Sequence, residues 1–154
     1  NLKFESFLER LKGEKRIIIQ AHDFPDHDAI SSAYALAYLL KKKGLCPLIT
    51  FHGYIDRVSL RNLIDWIDIP IYVPKGLKFQ PDDKIIVVDG CIGEKNIIDF
   101  PGVEVGVIDH HQVKAPDFVW YSDIRSNYGS TATMMVEYYR YFLYQCHRIS
   151  QQHY

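Results

Sequence analysis

The sequence predicts an α/β fold, an open, mainly parallel β-sheet with helices on both faces. Three observations lead there. Short β-branched runs alternate with stretches of helical periodicity, no linker is long enough to divide the chain, and no internal repeat is present. A single domain over residues 1–154 follows.

Each element has its own signal. Phe4, Phe7, Leu8 and Leu11 recur at helical spacing, and Gly13 supplies a stop. Ile17-Ile18-Ile19-Gln20-Ala21 is a β-branched run suited to a buried strand. Over residues 28–43, Ile30, Ala33, Tyr34, Ala37 and Leu40 share one helical face, and Gly44 ends the helix. Residues 46–51 predict a second strand, 55–66 a helix with Val58 and Ile64 on its apolar side, and 71–73 a short strand between prolines. Lys84–Val88 is the clearest strand, with others expected over 103–108 and 118–121. A last helix over 130–146 carries Ala132, Met135, Val136, Tyr139 and Leu143 on one stripe. Tyr138, Tyr139, Tyr141 and Tyr144 read as core packing on that helix, with a domain or homodimer contact as a further expectation.

Composition narrows the function classes. With 47% apolar and 24% charged residues, this is an ordinary globular chain. Lys+Arg 18 against Asp+Glu 19 leaves a net charge of −1, which excludes the broad basic footprint of a duplex-binding protein. No apolar run is long enough to span a membrane, and the first residues do not read as a signal peptide. Cys46, Cys91 and Cys146 form neither a CxxC zinc pattern nor a disulfide framework. The expectation is a cytoplasmic protein with no membrane partner.

The chemistry gathers at strand ends. The first strand runs into His22-Asp23-Phe24-Pro25-Asp26-His27-Asp28, the 84–88 strand into Asp89, and the 103–108 strand into Asp109-His110-His111. In open parallel sheets, ligands bind beyond the carboxyl ends of the strands. So many carboxylates and imidazoles on one edge need a counter-charge, and divalent cations supply it. Oxygen and imidazole donors without thiolate suit Mn²⁺ or Mg²⁺ better than structural zinc. Two such ions about 3.5–4 Å apart would clamp a phosphoryl group and activate a water.

Each piece also has a plainer reading. Asp26 and Asp28 stand where a helix begins and could be caps. Asp89-Gly90 could be a strand-ending turn, and His110-His111 a solvated pair. Three clusters at three strand ends favour the metal reading. His22-Asp23 also suggests an HD-type phosphohydrolase, but that class needs the pair on helices, whereas this one follows a strand.

The segment from His22 to Ser32 resembles the first motif of the DHH phosphoesterase superfamily. Asp89 after its strand is similar to the second motif, and Asp109-His110-His111 matches the signature that names the family. The order and spacing agree across nearly the whole chain. The family includes RecJ-type exonucleases, nano-RNases, cyclic-dinucleotide phosphodiesterases, manganese pyrophosphatases and exopolyphosphatases. The resemblance implies that His22 and Asp26 bind one metal and Asp28 and His110 the other, with Asp89 bridging two Mn²⁺ ions (Mg²⁺ as the substitute). It makes Asp89, His110 and His111 the catalytic group, with His111 facing the substrate phosphate and Asp109 orienting the imidazoles.

The function so implied is hydrolysis of phosphodiester bonds in short oligonucleotides or dinucleotides by a water activated between two metals. The alternatives are a phosphoanhydride hydrolase, either pyrophosphatase or exopolyphosphatase, and a non-catalytic regulatory domain that binds metal and a phosphoryl ligand. Two departures stand out: Phe24 where the family often has Asn, and Ser31 where Gly is common. The family's fourth metal-binding Asp and its second, substrate-binding domain do not appear before Tyr154, and Asp123 is a poor match for the former. A fragment that lacks a C-terminal domain is therefore expected. Gly129-Ser130-Thr131-Ala132 resembles a family segment that opens the next helix, with Ser130 as its cap.

Overall fold

A computed structural model describes residues 1–55, 58 and 71–152. Its elements in chain order are α1 (Leu2–Leu11), β1 (Ile17–Ala21), α2 (His27–Lys42), β2 (Pro47–Thr50), β3 (Ile71–Tyr72), α3 (Pro74–Leu77), β4 (Lys84–Val88), β5 (Val103–Asp109), β6 (Tyr121–Ile124) and α4 (Thr131–Gln152). The six strands form one sheet in the order β3-β2-β1-β4-β5-β6, and every pairing is parallel. The helix expected over 55–66 falls, apart from Ile55 and Val58, outside the described residues.

The β-branched runs earn their central place because both of their faces are buried. All five residues of β1 are buried, as are Ile85 to Val88 of β4. On one face, Ile17, Ile19, Ile86, Val88, Val105 and Ile108 pack against α1, α2 and α4. On the other, Ile18, Ile85 and Val87 meet Phe79, Ile92, Ile97 and Phe100 from the connecting loops. Phe7 reaches the sheet at Gly106, where a Cβ would stand 2.9 Å from its ring, and stacks on Tyr121 with centroids 5.2 Å apart.

Two expectations shift. The last strand begins at Tyr121, later than the expected 118, because Tyr121 is the residue that pairs with Gly106 of β5, while Phe118 is 60% exposed. On α4 the buried stripe is Thr131, Met134, Met135, Tyr138 and Phe142, while Val136, Leu143 and Tyr144 face outward. Tyr138 is drawn in by polar partners: its hydroxyl donates to Asp123 Oδ2 at 2.6 Å and lies 2.5 Å from the Tyr121 hydroxyl.

A clamp beneath the sheet holds β1 and β4 at their amino ends. Arg16 donates from Nε and Nη2 to the two oxygens of Asp83 at 2.9 and 2.6 Å, and Gln80 N–H adds a third bond to that carboxylate. The Arg16 guanidinium holds the Asp83 carboxyl below the usual carboxylate range. A depressed acid pKa contributes stability above the unfolded-state value, and that stability is lost as pH falls through the folded-state value. Asp83→Ala should therefore cost about 2–3 kcal/mol at pH 7. In urea titrations the deficit should shrink as the pH falls from the ordinary Asp value of ~3.9 through the lower value at which folded Asp83 gains its proton.

Candidate metal centre

The strand order reverses direction between β1 and β4. The chain continues from β1 to β2 and β3 on one side and from β4 to β5 and β6 on the other. Such a switch point opens a crevice at the carboxyl ends of its two strands. Ala21 is in register with Val88, so the next residues, His22 and Asp89, emerge side by side. Val88 in turn pairs with Ile108, which brings Asp109-His110-His111 to the same edge.

Asp89 is the centre of the cluster. It is 2% exposed and takes a left-handed backbone (φ +56°) that Asp tolerates better than most residues. Its two oxygens face opposite histidines. Oδ2 lies 3.5 Å from His22 Nε2, and Oδ1 lies 3.5 Å from His110 Nε2. The Thr131 hydroxyl donates to Oδ1 at 2.9 Å and fixes the carboxylate's plane. A second carboxylate faces the same Nε2 in each case, Asp26 Oδ1 at 3.6 Å from His22 and Asp28 Oδ2 at 3.7 Å from His110.

The histidines are oriented by their other nitrogens. His22 Nδ1–H donates to the Asp23 carbonyl at 2.9 Å, and His110 Nδ1–H to the Tyr128 carbonyl at 3.2 Å. With Nδ1 so engaged, both Nε2 atoms face carboxylate oxygens, the arrangement of a metal-binding imidazole once Nε2 is free of its proton. Separations of 3.5–3.7 Å are too long for hydrogen bonds. Two donors each ~2.1 Å from a shared ion stand roughly 3.0–3.5 Å apart, so a cation fits where a hydrogen bond does not.

The electrostatics agree with the geometry. Burial and the neighbouring Asp28 carboxylate push the Asp89 pKa up, while the His22 pKa is raised to about 9, chiefly by Asp89. Both directions describe a site short of positive charge. Among the described residues, no Lys or Arg forms an ion pair with Asp26, Asp28 or Asp89. Cys91 offers no competing thiolate, because burial raises its pKa and its thiol donates to the Lys114 carbonyl. Two groups of potential ligands result, and both use Asp89: His22 and Asp26 gather on one side, and on the other His110 stands with two candidates for a further ligand, Asp28 and His111.

The outer residues divide their duties. Asp26 does cap α2, accepting from Ala29 N–H at 2.9 Å, with the same oxygen that faces His22. Asp28 instead receives the amino end of α4: Thr131 and Ala132 N–H donate to its two oxygens at 3.0 and 2.8 Å. A carboxylate thus fills the position where the helix start could have met a phosphate. Fully buried Asp109 accepts at Oδ1 from His110 N–H at 2.8 Å and from His111 Nδ1–H at 2.7 Å, and among the described residues its Oδ2 has no hydrogen-bond partner. His111 is half exposed beside an open cavity of about 1050 Å³ that Gln112, Lys114, Ser122 and Ser126 help to line.

Two residues escaped the sequence reading. Thr131 gave no more signal than its place beside a Ser cap, yet it anchors Asp89. Tyr128 acts through its backbone carbonyl, which no side-chain pattern reveals. Asp123 is occupied elsewhere, bound at both oxygens by Arg125 at 2.8 and 2.9 Å.

Comparison with known proteins adds an independent line. The model of the DHH family, N-terminal domain, matches residues 16–153. An uncharacterized protein of Methanocaldococcus jannaschii is 29% identical over 133 residues, covering 85% of this chain and 27% of its own length. A probable manganese-dependent inorganic pyrophosphatase of Streptococcus pyogenes is 34% identical over 101 residues, covering 64% of this chain and 32% of its own length. The chain thus spans about a third or less of these relatives. The crystal structure of an exopolyphosphatase-related protein from Bacteroides fragilis superposes with a TM-score of 0.65 at 22% identity, over 87% of this chain and 42% of that one.

Because Asp89 serves both ligand sets, Asp89→Asn should abolish Mn²⁺ uptake at both positions, whereas His22→Ala should abolish it at one. Asn keeps the left-handed backbone accessible, so the circular dichroism spectrum should stay that of the wild type. Calorimetric titration reads the stoichiometry, and a normal Mn²⁺ count in Asp89→Asn would refute the bridging role.

Proposed function

The chain belongs to the DHH family, and from that membership and the geometry of its metal edge we propose a Mn²⁺-dependent phosphoesterase domain that hydrolyses phosphodiester bonds of short oligonucleotides or dinucleotides. The observation that carries the proposal is the division of Asp89, whose two oxygens each face a histidine Nε2 at 3.5 Å. His22 and Asp26 would complete one cation position, and Asp28 and His110 the other. Divalent cations held by these residues would supply a lowered water pKa and a counter-charge for the phosphoryl group.

The protein's own residues set the geometry for that chemistry. Thr131 holds Asp89 in the plane that serves both positions. Asp109 holds the His111 ring at Nδ1, which leaves Nε2 as the nitrogen that would meet the substrate phosphoryl oxygens. The open cavity beside His111 gives the substrate its approach, and Lys114 adds a positive charge to its lining.

A second reading, hydrolysis of a phosphoanhydride, is favoured by the likeness to the probable manganese-dependent inorganic pyrophosphatase. The wild-type chain with Mn²⁺ should release mononucleotide from a linear dinucleotide. Turnover of pyrophosphate alone would transfer the assignment to the second reading, and Mn²⁺ uptake without turnover of either would mark a regulatory domain.

His111→Ala should keep both Mn²⁺ ions, because His111 is assigned to the substrate. Its kcat should fall by about 10²–10³. Loss of one ion in that variant would move His111 into the ligand set.

A further inference from the structure

One group of side chains at this edge has no part in binding cations. Phe24 lies midway between His22 and Asp26, and its ring is 50% exposed. It meets His52 at a centroid distance of 5.9 Å and Tyr54 at 5.1 Å, with interplanar angles of 78° and 86°. His52 is exposed and Tyr54 is 58% exposed. Neither pair is stacked, so within the cluster no parallel neighbour covers the Phe24 ring.

The ring is seated, not loose. Phe24 N–H donates to the His52 carbonyl at 2.9 Å, which ties the loop after β1 to the loop after β2. Gly53 lies under the ring, where a Cβ would come within 2.6 Å of Phe24 Cδ1. On the other flank, Asp23 N–H donates to the Asn96 carbonyl, and Ile98 N–H donates to the Asp23 carboxylate. Phe24 itself has φ +49°, a conformation that an aromatic residue adopts at a cost. A half-exposed ring recovers little of that cost through burial in the core.

We infer that Phe24, flanked by His52 and Tyr54, is a stacking platform for a nucleobase of the substrate. The inference rests on the phosphoesterase reading above and adds to it the side chains that would hold the base. A base offers a π-face to such a ring whatever its sequence, whereas inorganic pyrophosphate has no apolar surface to place there. Among the described residues of these two loops, 23–27 and 51–55, there is no Lys or Arg to favour a phosphate over a base. Phe24 shares its loop with His22 and Asp26, so the platform stands at the same carboxyl edge of the sheet as the candidate cation site.

Phe24→Asn is the informative variant, because Asn accepts the left-handed backbone while removing the ring. The probe is a phosphorothioate dinucleotide carrying 2-aminopurine, with pyrophosphate as competitor and Mn²⁺ present. Binding to the wild type should quench the 2-aminopurine fluorescence. Phe24→Asn should weaken dinucleotide binding about 5- to 150-fold, the equivalent of ~1–3 kcal/mol, and change the pyrophosphate constant less than about twofold. Phe24→Tyr should restore dinucleotide affinity, and Tyr54→Ala, outside the His22–Asp26 loop, should weaken the dinucleotide alone. Equal dinucleotide affinity in Phe24→Asn and wild type would overturn the platform, as would parallel loss of dinucleotide and pyrophosphate or loss of Mn²⁺ from the variant. Failure of the wild type to take up Mn²⁺ would instead overturn the phosphoesterase reading.

Discussion

Everything at the metal edge depends on the register of three adjacent parallel strands. Ala21, Val88 and Ile108 are aligned across β1, β4 and β5, so the residues that follow them leave the sheet together. Asp89 then enters a space enclosed by His22 on one side and His110 on the other. A slip of one residue in β4 would turn Asp89 to the opposite face. The buried β-branched core beneath the site is therefore part of its chemistry, since hydrophobic burial on both faces is what forbids that slip.

Electrostatics would push such a cluster apart, and the fold answers with backbone donors. The amino end of α4 faces Asp28 with two N–H groups, and Thr131 from the same turn holds Asp89. One helix start thereby stabilises two carboxylates, and the contact joins α4 to α2 across the site. The remaining deficit of positive charge is partly met by a proton on His22, whose pKa is raised to about 9. Proton and cation therefore compete for one position. At neutral pH, cation binding should displace a proton, and affinity should rise with pH until His22 is neutral.

Much of this was legible in the sequence because periodicity and burial agreed. Phe4, Phe7, Leu8 and Leu11 are the buried face of α1, and Lys84–Val88 is β4 to the residue. Agreement failed where apolar residues surround an element. On α4, Met134, Met135, Val136, Tyr138, Tyr139, Tyr141, Phe142 and Leu143 allow several stripes, and hydrophobicity alone cannot select one. The choice is made by polar partners from the sheet, Asp89 just beyond β4 for Thr131 and Asp123 on β6 for Tyr138. Phe118 misled in a similar way, since its apolar character says nothing of the pairing between Gly106 and Tyr121.

The candidate site was legible as a list of residues, but not as a division of labour. Asp26 and Asp28 look alike in sequence, two acids at a helix start. One caps α2 with the oxygen that also faces His22, while the other receives a different helix. Nor does sequence reveal strain. Among the described residues, only Phe24, Lys78 and Asp89 combine a side chain with positive φ. Lys78 ends a helical turn, whereas the other two stand in loops of the metal edge. For Asp89, the strained backbone aims a carboxylate between two histidines. By the same logic, the left-handed backbone at Phe24 belongs with a ring held half exposed at the edge that carries the candidate site.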